Sequence, residues 1–375
     1  MTLKEREHLF FEKANKVHGD KYDYSKVDYI SSYDKVTIIC TDHGEFDQLP
    51  GNHLEHGCPK CKTHKKNPIK KEYKINLPKR EKDIEKPSNF EGEIRKFVES
   101  FGIKTDKYED DAYTISLYIP ELKLGIECND IETHSHNHPD GKPYRNWHKN
   151  KSLYFAERGI SLVRIWEDQY MYKKDLTLDF IQNKIGKASR IVYARECEVR
   201  KVSFNDIKDF LERNHFQGKK SATLYYGLYH NGELVQVMTF VYQKKKEYWE
   251  IDRFAVDRST SVVGGASKLF KQFLNDENPD VVFTYSSIDV NNLPEKSVYN
   301  KMGFELEDPS TTDPSYFYFD KDFNRIPRIH FQKFKLLNMF GDKYKDMTEF
   351  EITDNLGYFR VFDSGNYRWK YVSNQ

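Results

Sequence analysis

The chain lacks any apolar run near the ~20 residues that a membrane-spanning helix needs. Its N-terminus, MTLKEREHLFFEKANK, is charged throughout and lacks the apolar centre of a secretion signal. These absences lead us to expect a cytoplasmic location and no membrane partner. Cysteine is scarce, with Cys40, Cys58, Cys61, Cys128 and Cys197 the only five in 375 residues. An odd number without a secretion signal argues against a disulfide framework. An excess of charge is lacking as well, because the formal net charge is +1. Partners must therefore be sought in local patches. Aromatic residues are plentiful at 15% beside 32% charged residues. Long disordered chains are usually poor in aromatics, so folded structure is expected, in two or three domains.

Three of the five cysteines lie before residue 62, in IICTDHGEFDQLPGNHLEHGCPKC. Cys40 and His43 have C-x2-H spacing, and Cys58 and Cys61 have C-x2-C spacing. Each pair can grip one ion from a tight turn, and two such knuckles complete a tetrahedral, structural zinc site. A closed four-ligand site stabilises a fold and does not catalyse. His53 and His56 lie nearby, as substitute ligands or as surface and DNA-contacting groups. The first 60 residues or so also resemble a small domain repeated in many phage endonuclease-like proteins, which implies DNA binding.

Residues 60–86 follow with eleven lysines and arginines against four acids, a net charge of +7. Lys65, Lys66, Lys70 and Lys71 sit at its centre. The segment reads as a solvated linker, as a strap along DNA phosphates, or as both.

Next, FEGEIRKFVESFGI places Phe90, Ile94, Phe97, Val98 and Phe101 at helical spacing, with Ser88 or Asn89 as cap. YTISLYI (113–119) and LKLGIEC (122–128) form a hairpin signature around Pro120-Glu121. A second helix runs to about Gly159, and ISLVRIW reads as a third strand. The blocks FEGEIRKF, LYIPELKLGIECND, THS, WHKNK and ERGISLVRIWED resemble the very-short-patch-repair-like branch of the PD-(D/E)xK nuclease fold. That resemblance implies phosphodiester hydrolysis with Mg²⁺, which carboxylates hold through oxygen. It assigns metal or water handling to Glu91, with Glu93 and Glu127 as further carboxylates. It gives His134 and His148 acid/base or phosphate roles, and Lys151 a phosphate contact. One residue departs from the family: Ser116 stands where the first hairpin strand usually carries a metal-binding Asp. A hydroxyl cannot replace that charge. Cys128 reads as a small buried strand residue.

From about residue 190 the pattern changes. RIVYARECEVRKVS reads as one strand, and Ser203 and Asp206 as a capping pair opening an amphipathic helix. Asn231-Gly232 turns a long hairpin, and SVVGGASKLF places glycines before a helix. With VYNKMGF, this order resembles the GNAT acetyltransferase fold, in which SVVGGASKLF would stand at the pyrophosphate loop. Glycine there also serves close packing.

The fold class expected is α/β multidomain: a small zinc module (1–64), a basic linker (65–87), a PD-(D/E)xK-like α/β nuclease core (88–186) and a GNAT-like mixed α/β domain (187–375). The function expected is a site-selective double-stranded DNA endonuclease of phage or mobile-element type, nucleoid-associated when bound, with structural Zn²⁺ and catalytic Mg²⁺. The alternatives are a nuclease-degenerate DNA-binding or interference protein, motivated by Ser116, and an acetyl-CoA-dependent acyltransferase.

Overall fold

The computed structural model describes residues 3–64, 89–136, 145–309 and 312–373. The chain divides into two compact units, Met1–Lys74 and Ile75–Gln375. It is a mixed α/β multidomain protein. Among the described residues, no helix is long and apolar enough to cross a membrane.

In the first unit, helix α1 (Leu3–His18) precedes an antiparallel sheet, ordered β1 (Tyr22–Asp23), β2 (Val36–Cys40) and β3 (Gly44–Gln48). Helices α2 (Pro50–His56) and α3 (Pro59–His64) follow. Strand β2 alternates, with Val36, Ile38 and Cys40 buried against Phe10, Ala14, Tyr22 and Tyr29. So small a core gains from a metal staple.

The second unit begins with α4 (Phe90–Glu99), β4 (Asp106–Glu109), β5 (Thr114–Ile119) and β6 (Leu124–Asn129). It continues through α5 (Trp147–Glu157), β7 (Ser161–Trp166), α6 (Glu167–Tyr172) and α7 (Lys174–Lys184). The four strands form one sheet in the order β4-β5-β6-β7, with β6 and β7 parallel. The Asn89 side chain caps α4 by accepting the Gly92 N–H at 2.8 Å. Phe90, Ile94 and Val98 are the buried face of α4, packed on Leu117, Ile119, Ile126 and Val163 of the sheet. The helix–hairpin–helix–strand order read from the sequence is present; β4, α6 and α7 were not anticipated.

The C-terminal part holds β8 (Arg190–Tyr193), β9 (Cys197–Lys201), α8 (Phe204–Asn214), β10 (Leu224–His230), β11 (Glu233–Gln243), β12 (Tyr248–Val256) and β13 (Thr260–Val263). Then come α9 (Gly265–Glu277), β14 (Val281–Ser287), α10 (Val298–Lys301) and β15 (Glu305–Leu306). An insert follows, made of β16 (Tyr316–Phe319), β17 (Arg325–Pro327), α11 (Lys333–Phe340), α12 (Glu349–Asn355) and β18 (Phe359–Phe362). The chain then returns as β19 (Asn366–Val372).

Seven strands form one sheet in the order β15-β19-β14-β12-β11-β10-β9, with β12 and β14 parallel. Asn231 (φ 49°) and Gly232 (φ 83°) supply the left-handed turn between β10 and β11. The single strand expected over 190–203 is broken by a turn at Ala194–Glu196, so that β8 pairs with β13 and β9 with β10. The insert packs on the central sheet region through Phe319, Phe323 and Val361 against Ile131, Trp166 and Met171.

Candidate functional site

The metal-type cluster is built by two chain reversals. Strand β2 ends on Cys40, and the His43 N–H returns to the Cys40 carbonyl at 3.3 Å. Helix α2 ends at Gly57, whose φ of 61° is left-handed and whose added Cβ would lie 2.5 Å from the Tyr22 hydroxyl. Only glycine meets both demands. That hydroxyl accepts the Cys58 N–H at 2.8 Å, and the Cys61 N–H reaches the Cys58 carbonyl at 3.1 Å. The donor atoms of Cys40, His43, Cys58 and Cys61 lie within 4.8 Å of one another. Cys40 and Cys61 sulfurs are 3.5 Å apart, and His43 Nδ1 is 3.3 Å from the Cys61 sulfur. A tetrahedron with ~2.3 Å metal–sulfur bonds has edges of about 3.8 Å, so the set fits a zinc-sized ion. The cluster can hold one metal ion. Among the described residues it is the one group of three or more His, Cys, Asp or Glu placed to do so.

His53 corrects the surface role expected for it. It is fully buried, its Nε2 lies 3.0 Å from the Tyr24 hydroxyl, and its carbonyl pairs with His18 Nε2 at 2.8 Å. Burial, then the neighbouring His18, pushes its pKa down to about 4. His56 stays on the surface beside Glu55. Lys65, Lys66, Lys70 and Lys71 lie outside the described residues.

In the central sheet region the carboxylates meet internal cations and hydroxyls. Glu91 accepts the Ser116 hydroxyl at 2.8 Å and Arg95 Nη2 at 3.2 Å. Arg95 also donates to the Ser116 carbonyl at 2.6 Å, which locks the group to β5. Glu127, on β6, pairs with Lys151 Nζ of α5 at 2.8 Å, with both side chains buried. Cys128, partly buried on β6, lies within electrostatic reach of Glu91 and Glu127. Desolvation, then these two carboxylates, holds its thiol well above the usual range. His134 and His148 stack with ring centres 5.5 Å apart, each edge-on to Trp166. The structure thus brings Glu91 beside Ser116, Glu127 beside Lys151, and His134 beside His148. Glu93 is not part of this arrangement. It accepts the Tyr170 hydroxyl at 2.6 Å and Lys174 at 3.0 Å, tying α4 to the α6–α7 pair.

In the C-terminal part, Gly264 (φ 78°) opens α9. A Cβ on Gly265 would fall 1.9 Å from Gln236 Oε1, and one on Gly264 would meet Ala194 at 3.6 Å. Lys268, one turn on, donates to the Ala194 carbonyl at 2.8 Å. The glycine turn is therefore a close-packing site between α9, β11 and the turn after β8.

Residues 3–62 match a family described as a protein of unknown function (DUF723). Two uncharacterized proteins of Acanthamoeba polyphaga mimivirus are similar to short stretches of the chain. One is 48% identical over 56 residues, 14% of this chain and 21% of that protein. The other is 46% identical over 63 residues, 16% of this chain and 24% of that protein. The chain thus spans under a quarter of these relatives. Among solved structures, an IAA acetyltransferase from Bacillus cereus is similar at 12% identity and TM-score 0.25, over 47% of this chain and 99% of its own. A variant spermidine N-acetyltransferase from Vibrio cholerae is similar at 9% identity and TM-score 0.28, over 48% of this chain and 94% of its own.

The expectation of a DNA-hydrolysing enzyme is corrected here. The similar solved structures are acetyltransferases, which transfer groups, and not DNA hydrolases. The expected Mg²⁺ site is likewise unsupported: among the described residues Glu91, Glu93, Glu127 and the histidines do not form a group of three or more ligands placed to hold an ion.

Proposed function

We propose that the chain is a duplex-DNA-binding protein, stapled by one structural zinc ion, that holds DNA without hydrolysing it. The observation that carries this reading is the net charge of +7 over residues 60–86, directly continuous with the Cys/His cluster. A metal at Cys61 would anchor α3, from which the basic segment continues. Lysines in that segment would neutralise phosphates and release counterions. Ser116, which stands where the resemblance expects a metal-binding Asp, supports binding without cleavage.

The test is anisotropy of a short labelled duplex titrated with the full chain between about 50 and 200 mM salt. Replacing Lys65, Lys66, Lys70 and Lys71 with Gln should make the log–log salt slope shallower by about 3–4, at ~0.9 per phosphate contact. Absence of binding at the low-salt end defeats the reading.

A second reading, acyl-CoA-dependent acyl transfer, is favoured by one specific observation. Parallel strands β12 and β14 pair only over Trp249–Ile251 and Val282–Thr284, beside the glycine-led helix α9. It stands second because Gln236 and Ala194 already pack against that turn. Saturable micromolar binding of acetyl-CoA in a calorimetric titration would move it to first place.

A further inference from the structure

The β11–β12 hairpin ends in Gln243-Lys244-Lys245-Lys246-Glu247, and all three lysines are exposed. The ladder of β10 with β11 starts at Leu224 opposite Phe240, and that of β14 with β12 starts at Trp249 opposite Val282. The Gln243–Tyr248 pair therefore lies beyond both ladders, by one residue on the β14 side, with the Tyr248 ring 4.7 Å from that of Phe283 on β14. The hairpin turn is closed by Lys246 and Glu247 N–H groups on the Gln243 carbonyl at 2.9 and 2.8 Å. Glu247 adopts a left-handed φ of 55° to make the turn.

Just behind the tip, Tyr242 and Trp249 face each other across the strands with ring centres 5.0 Å apart. Tyr242 is 37% exposed. Lys246 Nζ lies 5.8 Å from the centre of the Tyr248 ring, on the same tip. Lys220 pairs with Asp252. On the hairpin, three successive cations stand beside two acids, Glu247 at the turn and Glu250 behind it, which meets the Gln243 amide at 3.5 Å. The turn gathers the three lysines at one end of the hairpin. A duplex presents about one phosphate charge per 1.7 Å of axis, so a compact cluster of three cations meets several phosphates at once.

We infer that the β11–β12 hairpin tip is a second DNA-contacting element, with Lys244, Lys245 and Lys246 on phosphates and the Tyr242–Trp249 pair as its rigid base. This rests on the DNA-binding reading above and adds a contact in a different part of the chain. The occupant is the duplex backbone, so the contact adds affinity and salt dependence without choosing a sequence.

The experiment uses the full chain and the same labelled duplex. Replacing the three lysines together with Ala should make the salt slope shallower by about 2.7, at ~0.9 per lost contact. Replacing all three with Arg should restore the slope, since charge is kept. Unchanged thermal melting of the Ala variant would separate this loss from misfolding. A wild-type slope in the Ala variant overturns the hairpin while leaving DNA binding intact. A wild-type chain that binds no duplex overturns both.

Discussion

Arg164 and Asp289 form a buried ion pair, Nη1 to Oδ1 at 2.5 Å, with the arginine side chain wholly inaccessible. Arg164 lies in β7 and Asp289 in the loop after β14, so the pair joins the four-stranded sheet to the seven-stranded one. Asp289 also accepts Trp166 Nε1 at 3.2 Å and the Ser364 N–H at 3.2 Å. Nearby, Asn292 bridges the carbonyls of Ser152 and Ile160 at 2.9 and 3.1 Å. The two sheets are therefore parts of one folding unit.

Removing one partner of such a pair leaves a buried charge, which costs about 3–5 kcal/mol. Asp289→Leu is accordingly expected to lower the stability of the second unit by that amount in urea unfolding. Adding Arg164→Met to it should recover a large share. A single variant that loses under ~1 kcal/mol, the level of a surface pair, contradicts the structural role.

Asp363 predicts an alkaline loss of stability. Burial first, then the charge of Asp289, pushes its pKa up to about 7. The unfolded carboxyl titrates near 3.9, so the folded state holds the proton more tightly. This contribution is fully present below about pH 4 and is lost as pH rises through about 7. Asp363→Asn keeps an oxygen for the Ser315 and Gly365 N–H groups, which Asp363 Oδ1 receives at 2.7 and 2.8 Å. The variant should gain melting temperature at pH 8 relative to wild type, with the gain shrinking at pH 5. An equal shift at both values refutes the assignment.

His215 acts at the other end of the pH range. Burial, then Arg253 and Lys173, pushes its pKa down to about 3. Its stabilising contribution is present above the unfolded pKa of ~6.5 and is lost as pH falls toward 3. Chemical denaturation at pH 7 and pH 4.5 should show a smaller drop in His215→Gln than in wild type.

Metal removal should act on the first unit. The core around Phe10, Tyr22 and Ile38 is small, and Cys40 and Cys58 are part of it. A strong chelator, or Cys58→Ser, is expected to collapse the NMR amide dispersion of residues 3–64, and zinc should restore it in the wild type alone. Dispersion that survives chelation, or zinc content well below one per chain, would show that the fold stands without the ion.

The knuckle spacings around Cys40 and Cys58 were legible because ligand geometry is local. So were the α4 cap at Asn89, the hairpin before Asn129 and the Asn231-Gly232 turn, all written in short-range pattern. The partners of Glu91 and Glu127 were not legible. Arg95 sits one helical turn from Glu91, yet its reach to the Ser116 carbonyl depends on how α4 lies across β5. Lys151 was read as a phosphate contact, and only the packing of α5 on β7, the neighbour of β6, turns it onto Glu127. Arg164 did leave a signal: an arginine within Leu162-Val163-Arg164-Ile165-Trp166 must either break the strand or find a buried anion. Its partner lies 125 residues away, beyond any periodicity. The break at Ala194–Glu196 was missed because strand propensity runs through it, and only the pairing of β8 with β13 interrupts it.

Strand β19 sits between β14 and β15, although the insert separates it in sequence from both. During synthesis, β14 is made long before the strand that covers its flank. Until then Val282 and Phe283 border an open ladder with no Trp369 or Tyr371 to shield it. Such distant pairing is slow, and an exposed edge invites association with other chains. Cellular yield should therefore depend on how quickly the insert folds and delivers β19, making chaperone supply and growth temperature stronger levers on soluble protein than any change on the finished surface.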